Sequence, residues 1–308
     1  MGGNSSPHGY RYLHHLPRAW AATVTGLASA LALFASLALF AAPCRAALTV
    51  ERIAVHQFED GPILPQSHVF LPGERVYLSC RFAGYAIAGT ADEQKSVKLS
   101  WQVEAADGSG VPLAPRAAGR LEQQIFTQDK DWRPKFVWEF VIPPFAPGGT
   151  YTVTVHAKDE VGGTELTSRL DIGVRGRDVE PGKELVARNL RLLPTDQDGT
   201  GLNPAVYHPG QVLWARFEIT GFQYAAKNHY SVEYGLAIEK EDGQQVFAQP
   251  TAAEDSSESF YPQRYVPGAV SLNLDPNVPL GTYTLVILMN DKTAAKTAEA
   301  RAKFRIEP

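Results

Sequence analysis

The sequence predicts an all-β protein whose main part is two similar antiparallel β-sandwiches in tandem. Three observations predict it: a long internal repeat, a two-residue hydrophobic period inside each copy, and turn residues between short apolar runs. The chain has 308 residues, of which 44% are hydrophobic, so it is long enough for two domains with separate cores.

The internal repeat relates residues 50–174 to residues 187–306. Its anchors are two matched pairs of turn motifs, FLPG at 70–73 with YHPG at 207–210, and PGGTY at 147–151 with PLGTY at 279–283. A repeat of this length is a whole duplicated domain, because the units of solenoid proteins are much shorter.

Apolar and polar residues alternate along several segments of each copy. The apolar set that follows the first turn motif is Val76, Leu78, Cys80 and Phe82 in the first copy, and Leu213, Ala215, Phe217 and Ile219 in the second. Strict alternation places such a set on one face of a strand, toward a core. No segment after residue 46 has a helical period, so we expect strands alone there.

The motif Pro-x-Gly-Thr-Tyr-Thr-Val/Leu, followed by an alternating strand, resembles the late-strand signature of immunoglobulin-like domains in exported bacterial proteins. The resemblance implies two tandem immunoglobulin-like sandwiches, in which Tyr151 and Tyr283 each form a tyrosine corner. Val153 and Leu285 then stand where this family carries one cysteine of its disulfide.

Cys80 and Trp101 match the early-strand cysteine and the core tryptophan of the same family, and Phe217 and Leu236 take those places in the second copy. The resemblance therefore implies the architecture without its disulfide. Cys80 is expected to act as a small apolar core residue, because its strand parity points inward.

The expected organisation is one domain over 47–174 and a second over 185–308. Residues 175–184 are polar and contain a Pro-Gly pair, which is typical of a linker. Because this linker is short, we expect the two domains to keep a restricted mutual orientation.

Residues 1–46 predict export. Arg11 and Arg18 precede an uncharged run from Ala19 to Pro43, and a small-x-small pattern ends at Ala46, as in a secretory signal peptide. Two alternatives remain at this point: the run is also long enough for an uncleaved membrane anchor, and Cys44 could be lipidated. The protein is expected in the periplasm or outside the cell.

The formal net charge of −4 argues against nucleic acid as a partner. We expect protein partners first and glycans second, with membrane contact only through the N-terminal segment if it is uncleaved. The predicted function is an exported, non-catalytic binding or structural module of the cell envelope or exterior. The alternatives are a carbohydrate-binding protein that uses loop aromatics, and an enzyme whose site is assembled from distant loops.

The motif search assigns no catalytic residue and no cofactor. A nucleophile elbow, a His-Glu-x-x-His motif, a phosphate-binding glycine loop and a Cys-x-x-Cys pair are all missing from the sequence. Asp196 and Asp198 precede glycine in a loop and are candidate calcium ligands, because hard cations favour several oxygens on a tight turn. The bidentate glutamate that closes such loops is missing.

Four residues are candidates for a ligand or partner surface. Trp132 and Tyr261 are loop aromatics that could provide a flat platform for a sugar ring. Val286 and Leu288 lie on the strand face opposite the expected core, where the first copy has Thr154 and His156. This difference predicts an apolar outer face in the second domain, which is either covered by a loop or by the first domain, or is a partner surface.

Overall fold

The computed structural model describes residues 47–89, 95–126, 129 and 132–308. These residues form β-strands joined by turns and loops, and the prediction of an all-β fold of sandwiches is confirmed. Within these ranges no α-helix occurs, and a 3-10 turn spans Ala226–Asn228. The predicted signal or anchor segment, 1–46, lies outside the described residues.

The described residues form sixteen strands. They are β1 (Thr49–His56), β2 (Val69–Phe70), β3 (Arg75–Ala83), β4 (Lys95–Ala106), β5 (Ala117–Ile125), β6 (Lys135–Val141), β7 (Gly149–Asp159), β8 (Glu165–Val174), β9 (Val186–Leu193), β10 (Val206–Tyr207), β11 (Val212–Thr220), β12 (Tyr230–Lys240), β13 (Gln245–Ser257), β14 (Val266–Asn273), β15 (Gly281–Asp291) and β16 (Lys296–Ile306).

Strands β1–β8 form the first sandwich and strands β9–β16 form the second, with the same strand order in both. Each has a three-stranded sheet, β1-β3-β6 or β9-β11-β14, facing a five-stranded sheet, β2-β8-β7-β4-β5 or β10-β16-β15-β12-β13. Neighbouring strands are antiparallel except for the short pairs β2–β8 and β10–β16. The duplication read from the sequence is thus a duplication of topology.

Each sandwich has its own apolar core between its two sheets. The alternating residues that the sequence predicts to face inward are at most 2% exposed: Val76, Leu78, Cys80, Phe82, Leu213, Ala215, Phe217 and Ile219. Burial of these side chains is the main stabilising contribution, because apolar area removed from water contributes about 25 cal/mol per Å².

Both tyrosine corners implied by the resemblance are present. The Tyr151 hydroxyl donates a hydrogen bond to the Pro147 carbonyl, and the Tyr283 hydroxyl donates one to the Pro279 carbonyl, each at 2.8 Å. Each bond ties the start of a central strand to the loop before it, at the same place in both copies.

At one equivalent cross-strand pair, the large residue and the small residue lie on opposite strands in the two cores. In the first sandwich Cys80 on β3 pairs with Phe136 on β6, and in the second Phe217 on β11 pairs with Gly268 on β14. A Cβ atom on Gly268 would lie 2.2 Å from the Phe217 ring, so the aromatic residue occupies that space from the opposite strand. Cores tolerate such swaps when the total volume is kept.

One expected equivalence is corrected. Trp101 corresponds to Tyr234 and not to Leu236, because Trp101 pairs with Ala157 on β7 just as Tyr234 pairs with Met289 on β15. The chain shortens in the β3–β4 connection, and matching the turn Asp107-Gly108 to Asp242-Gly243 places this strand two residues too far along. Trp101 stacks on Phe136, with ring centroids 4.1 Å apart.

Cys80 is expected to resist thiol reagents in the native protein. Its side chain is fully buried, and burial raises the pKa of the thiol to about 12, so very little reactive thiolate forms at neutral pH. Peptide mapping by mass spectrometry after iodoacetamide treatment should find Cys80 unmodified in native protein and modified in urea. Labelling of the native protein as fast as a free peptide would contradict this.

Candidate functional site

The two sandwiches meet at a buried contact that we call the joint. On the first sandwich the joint uses the turn after β4, at Asp107, and the loop before β7, at Phe145. On the second it uses the segment between β13 and β14, which contains Tyr261, Arg264 and Tyr265. Residues more than 150 positions apart are thereby in direct contact.

Asp107 is the polar centre of the joint. One carboxylate oxygen accepts hydrogen bonds from the backbone N–H groups of Ser109 and Val111, at 2.8 and 2.9 Å. The other accepts from the Tyr261 hydroxyl and from Arg264 Nη2, both at 2.8 Å. A buried carboxylate is stable only when it is paired and hydrogen-bonded, and these four donors meet that requirement.

Apolar packing surrounds this carboxylate. The Tyr261 side chain belongs to the second sandwich but packs against the core of the first, and its residue is 5% exposed. Phe145 contacts Tyr265 edge to face, with ring centroids 5.5 Å apart. Phe145 adopts a φ of 61°, which is costly for a non-glycine residue, so the surrounding contacts must hold it there.

The joint is expected to weaken in acid because of Asp107. Burial by itself raises the pKa of Asp107, but the N–H groups of Val111 and Ser109, Tyr261 and Arg264 outweigh it and lower the pKa from the ordinary value of 3.8. The stabilising contribution is therefore complete above pH 3.8 and declines as the pH falls below it. Urea unfolding across this pH range should show the loss, and Asp107→Asn should remove that part of the pH dependence.

The predicted linker is attached to the second sandwich by charged contacts. Arg177 donates hydrogen bonds to Glu218, whose side chain is 2% exposed, and to Asp198. The Glu218 carboxylate also accepts from Asn189 Nδ2 at 3.0 Å. Arg191 Nη2 donates to Asp198 at 2.6 Å. Arg177 therefore fixes the linker to β11 and to the acidic loop.

The acidic loop that contains the candidate calcium ligands Asp196 and Asp198 is occupied by these arginines. Each oxygen of Asp198 accepts a hydrogen bond from one of Arg191 and Arg177, and the two arginines lower the pKa of Asp198 to about 2. Asp196 uses its backbone carbonyl to accept from Arg216. Two guanidinium groups on one carboxylate repel a cation, so the geometry argues against calcium at Asp198.

The candidate sugar platform is not formed as expected. Tyr261 is buried in the joint, which removes it from any exposed surface. Trp132 is half-buried, packs against the first core, and contacts Tyr85 edge to face at 6.3 Å. The two aromatics lie at different ends of the first sandwich, because Tyr261 contacts the turn after β4 and Trp132 the loop after β3.

The predicted apolar outer face of the second sandwich is covered by its own chain. Val286 is 1% exposed and Leu288 is half-buried. A Cβ atom on Gly235, beside Leu288 on the same face, would lie 2.1 Å from the Gln249 carbonyl, so β13 bends over the sheet there. Arg301, the cross-strand neighbour of Val286, spans the sheet to Glu239.

An open apolar cavity of about 480 Å³ lies at the end of the second sandwich remote from the joint. We call it the end groove. Its lining includes Ile238, Lys240, Phe247, Leu274, Val278 and Tyr283. Phe247 is 39% exposed, although it lies opposite the core residue Ile238 on the edge strand β13. The sequence did not reveal this surface, since a short apolar run such as 246–248 does not by itself distinguish an exposed strand from a buried one.

A histidine–serine pair lies on the outer face of β1-β3-β6. His56 Nδ1 is 2.7 Å from the Gly61 carbonyl, so this nitrogen carries a proton, and neutral His56 then accepts the Ser79 hydroxyl at Nε2, also at 2.7 Å. Ser79 is 6% exposed, so the pair anchors the turn after β1 and does not present a nucleophile to solvent. No group of three or more metal-ligating side chains occurs among the described residues.

Comparison with known proteins gives no family. No protein-family model matches the chain, and no curated protein matches it. Among solved structures it is similar to the C-terminal domain of the Streptococcus pyogenes antigen I/II-family protein AspA, with 9% identity and a TM-score of 0.29, over 86% of this chain and 100% of that one. A likeness at this TM-score carries no argument about function. In the described part of the chain, no helix has the length and apolar character to cross a membrane.

Proposed function

We propose that this chain is an exported, non-catalytic binding or structural module of the cell envelope or exterior, and that it acts through protein–protein contacts. The observation that carries the proposal is the end groove, an apolar surface with Phe247 exposed beside core residues. Exposed apolar patches of this kind are typical of interaction sites. The immunoglobulin-like resemblance and the N-terminal export pattern support the same conclusion.

The joint supports a mechanical role as part of the proposed function. A buried carboxylate, the aromatic pair Phe145–Tyr265, the packing of Tyr261 and an attached linker hold the two sandwiches together, with Asp107 and Arg177 as the polar contacts. A body with such a contact presents its two ends at a fixed separation, which suits a spacer or a presenting element. A flexible pair of domains would not keep that separation and would not suit such a role.

Site-specific photocrosslinking in the native cell tests the proposal. A photoreactive residue at position 247, in the end groove, is expected to give a discrete protein adduct in the envelope or extracellular fraction. The matched control is position 137, because Val137 is 45% exposed on β6 of the other sandwich. Recovery of the protein in the cytoplasm, or equal diffuse labelling at both positions, would contradict the proposal.

A further inference from the structure

The joint and the end groove occupy the same place in the two copies. In the first sandwich the turn after β4 is closed by bonds from Asp107 N to the Val111 carbonyl and from Gly110 N to the Asp107 carbonyl. In the second sandwich the turn after β12 has the same bonds, with Lys240 in the position of Asp107. The surface that receives Tyr261 in the first sandwich is therefore the end groove in the second.

The apolar residues that line the joint in the first sandwich correspond to those that line the end groove in the second. Only those at the joint are covered by the other sandwich. Tyr151 and Ala146 in the first sandwich correspond to Tyr283 and Val278 in the second, as the two tyrosine corners show. Leu113, whose N–H donates to the Ala105 carbonyl, is 4% exposed. At the equivalent place in the second sandwich, Phe247 pairs with Ile238 and is exposed. We call a surface that receives an aromatic side chain in this way an acceptor surface. The end groove is thus equivalent to the acceptor surface that Tyr261 covers at the joint.

A donor surface is one that supplies the aromatic side chain, as the second sandwich supplies Tyr261 at the joint. The first sandwich has a matching donor surface at its other end, which we call the leading end. It consists of Ile87, Phe126 and Trp132. Ile87 and Phe126 are 48% and 56% exposed, although both are large and apolar. The leading end is built like the donor side of the joint: Tyr85 donates a hydrogen bond to the Trp132 carbonyl, as Tyr224 does to the Gln263 carbonyl.

Each of these two free ends carries a cation and a carboxylate. The end groove has Lys240 in place of Asp107, together with Asp275. The leading end has Asp129, which accepts a hydrogen bond from the Phe126 N–H at 2.9 Å, and Arg133. The cation of each end can therefore pair with the carboxylate of the other.

We propose that the leading end of one copy docks into the end groove of a second copy, so that the chain associates head to tail. The contact repeats the joint between molecules, with the exposed Phe126 in the role of Tyr261. Because donor and acceptor are different surfaces, the contact is heterologous and builds open chains of copies. This inference rests on the proposed function, since it names the partner of the end groove.

Two variants that each block one end test the inference. Phe247→Glu places a negative charge in the apolar end groove, and Phe126→Glu places one at the leading end, so each variant blocks one surface and the two blocked surfaces repel each other. Sedimentation analysis of the chain as its own cells produce it is expected to show a mass that rises with concentration without a plateau. Each variant alone should remain monomeric, and an equal mixture should form a one-to-one pair and nothing larger.

Both substituted residues are exposed, so the variants are expected to fold, and unchanged urea unfolding curves verify it. Val137→Glu is the control and should associate like the unmodified chain. An unmodified chain that stays monomeric up to millimolar concentration overturns the inference, as does a closed dimer that survives both variants. A photoadduct at position 247 with a different protein would overturn self-association and leave the proposed function standing.

Discussion

Replacing Asp291 by alanine is expected to lower the free energy of unfolding by about 4 kcal/mol. Asp291 is 1% exposed and accepts three backbone hydrogen bonds, from Gln223, Thr293 and Ala294, at 2.8 to 3.1 Å. Alanine leaves these N–H groups without an acceptor, and each unsatisfied buried donor costs about 1–3 kcal/mol. The carboxylate also connects the loop after β11 to the turn after β15, so its loss loosens two segments.

Urea unfolding monitored by tryptophan fluorescence measures this effect. Asp291→Asn should cost less than half as much, because one amide oxygen can still accept the Thr293 and Ala294 bonds. Asp242→Ala is the matched control, since Asp242 accepts a single bond, from Gln244 N at 2.9 Å, on an exposed turn. A loss for Asp291→Ala no larger than for this control would show that water replaces the carboxylate.

The first sandwich provides an independent repeat of the same prediction. Asp159 is fully buried and accepts three backbone hydrogen bonds, from Ala86, Val161 and Gly162. Asp159→Ala is therefore expected to be as destabilising as Asp291→Ala. The two aspartates align in the sequence, yet a lone acidic residue at a strand end is usually solvated, so burial was not predictable from the alignment.

Features that depend on local alternation could be predicted from the sequence, and contacts between distant residues could not. Alternation along β3 and β11 is local, and it predicted the core side of each strand, including the inward position of Cys80. The joint pairs Asp107 with residues of the second sandwich, and no local pattern marks such a contact. Tyr261 and Val286 were therefore only candidates for an exposed surface, and the chain itself covers both.

Replacing Tyr261 by alanine is expected to uncouple the two sandwiches, at a cost of about 3–5 kcal/mol, as for other buried aromatic residues. The ring packs on the first core, and its hydroxyl is one of two side-chain donors to Asp107. Without it, Arg264 is the one side-chain donor left to the buried carboxylate of Asp107, beside a cavity. Calorimetry should then resolve two unfolding transitions, and small-angle scattering should report a wider distribution of distances.

Two further variants separate the ring from its hydroxyl and from simple loop damage. Tyr261→Phe keeps the packing and loses one hydrogen bond to a charged group, so a loss of about 1.5–3 kcal/mol is expected with the joint still closed. Phe260→Ala, at a neighbouring residue that is 52% exposed, should change neither the transitions nor the scattering. If Tyr261→Ala also unfolds in one step with unchanged scattering, the linker contacts of Arg177 hold the sandwiches together, and Arg177→Ala in the same background should then release them.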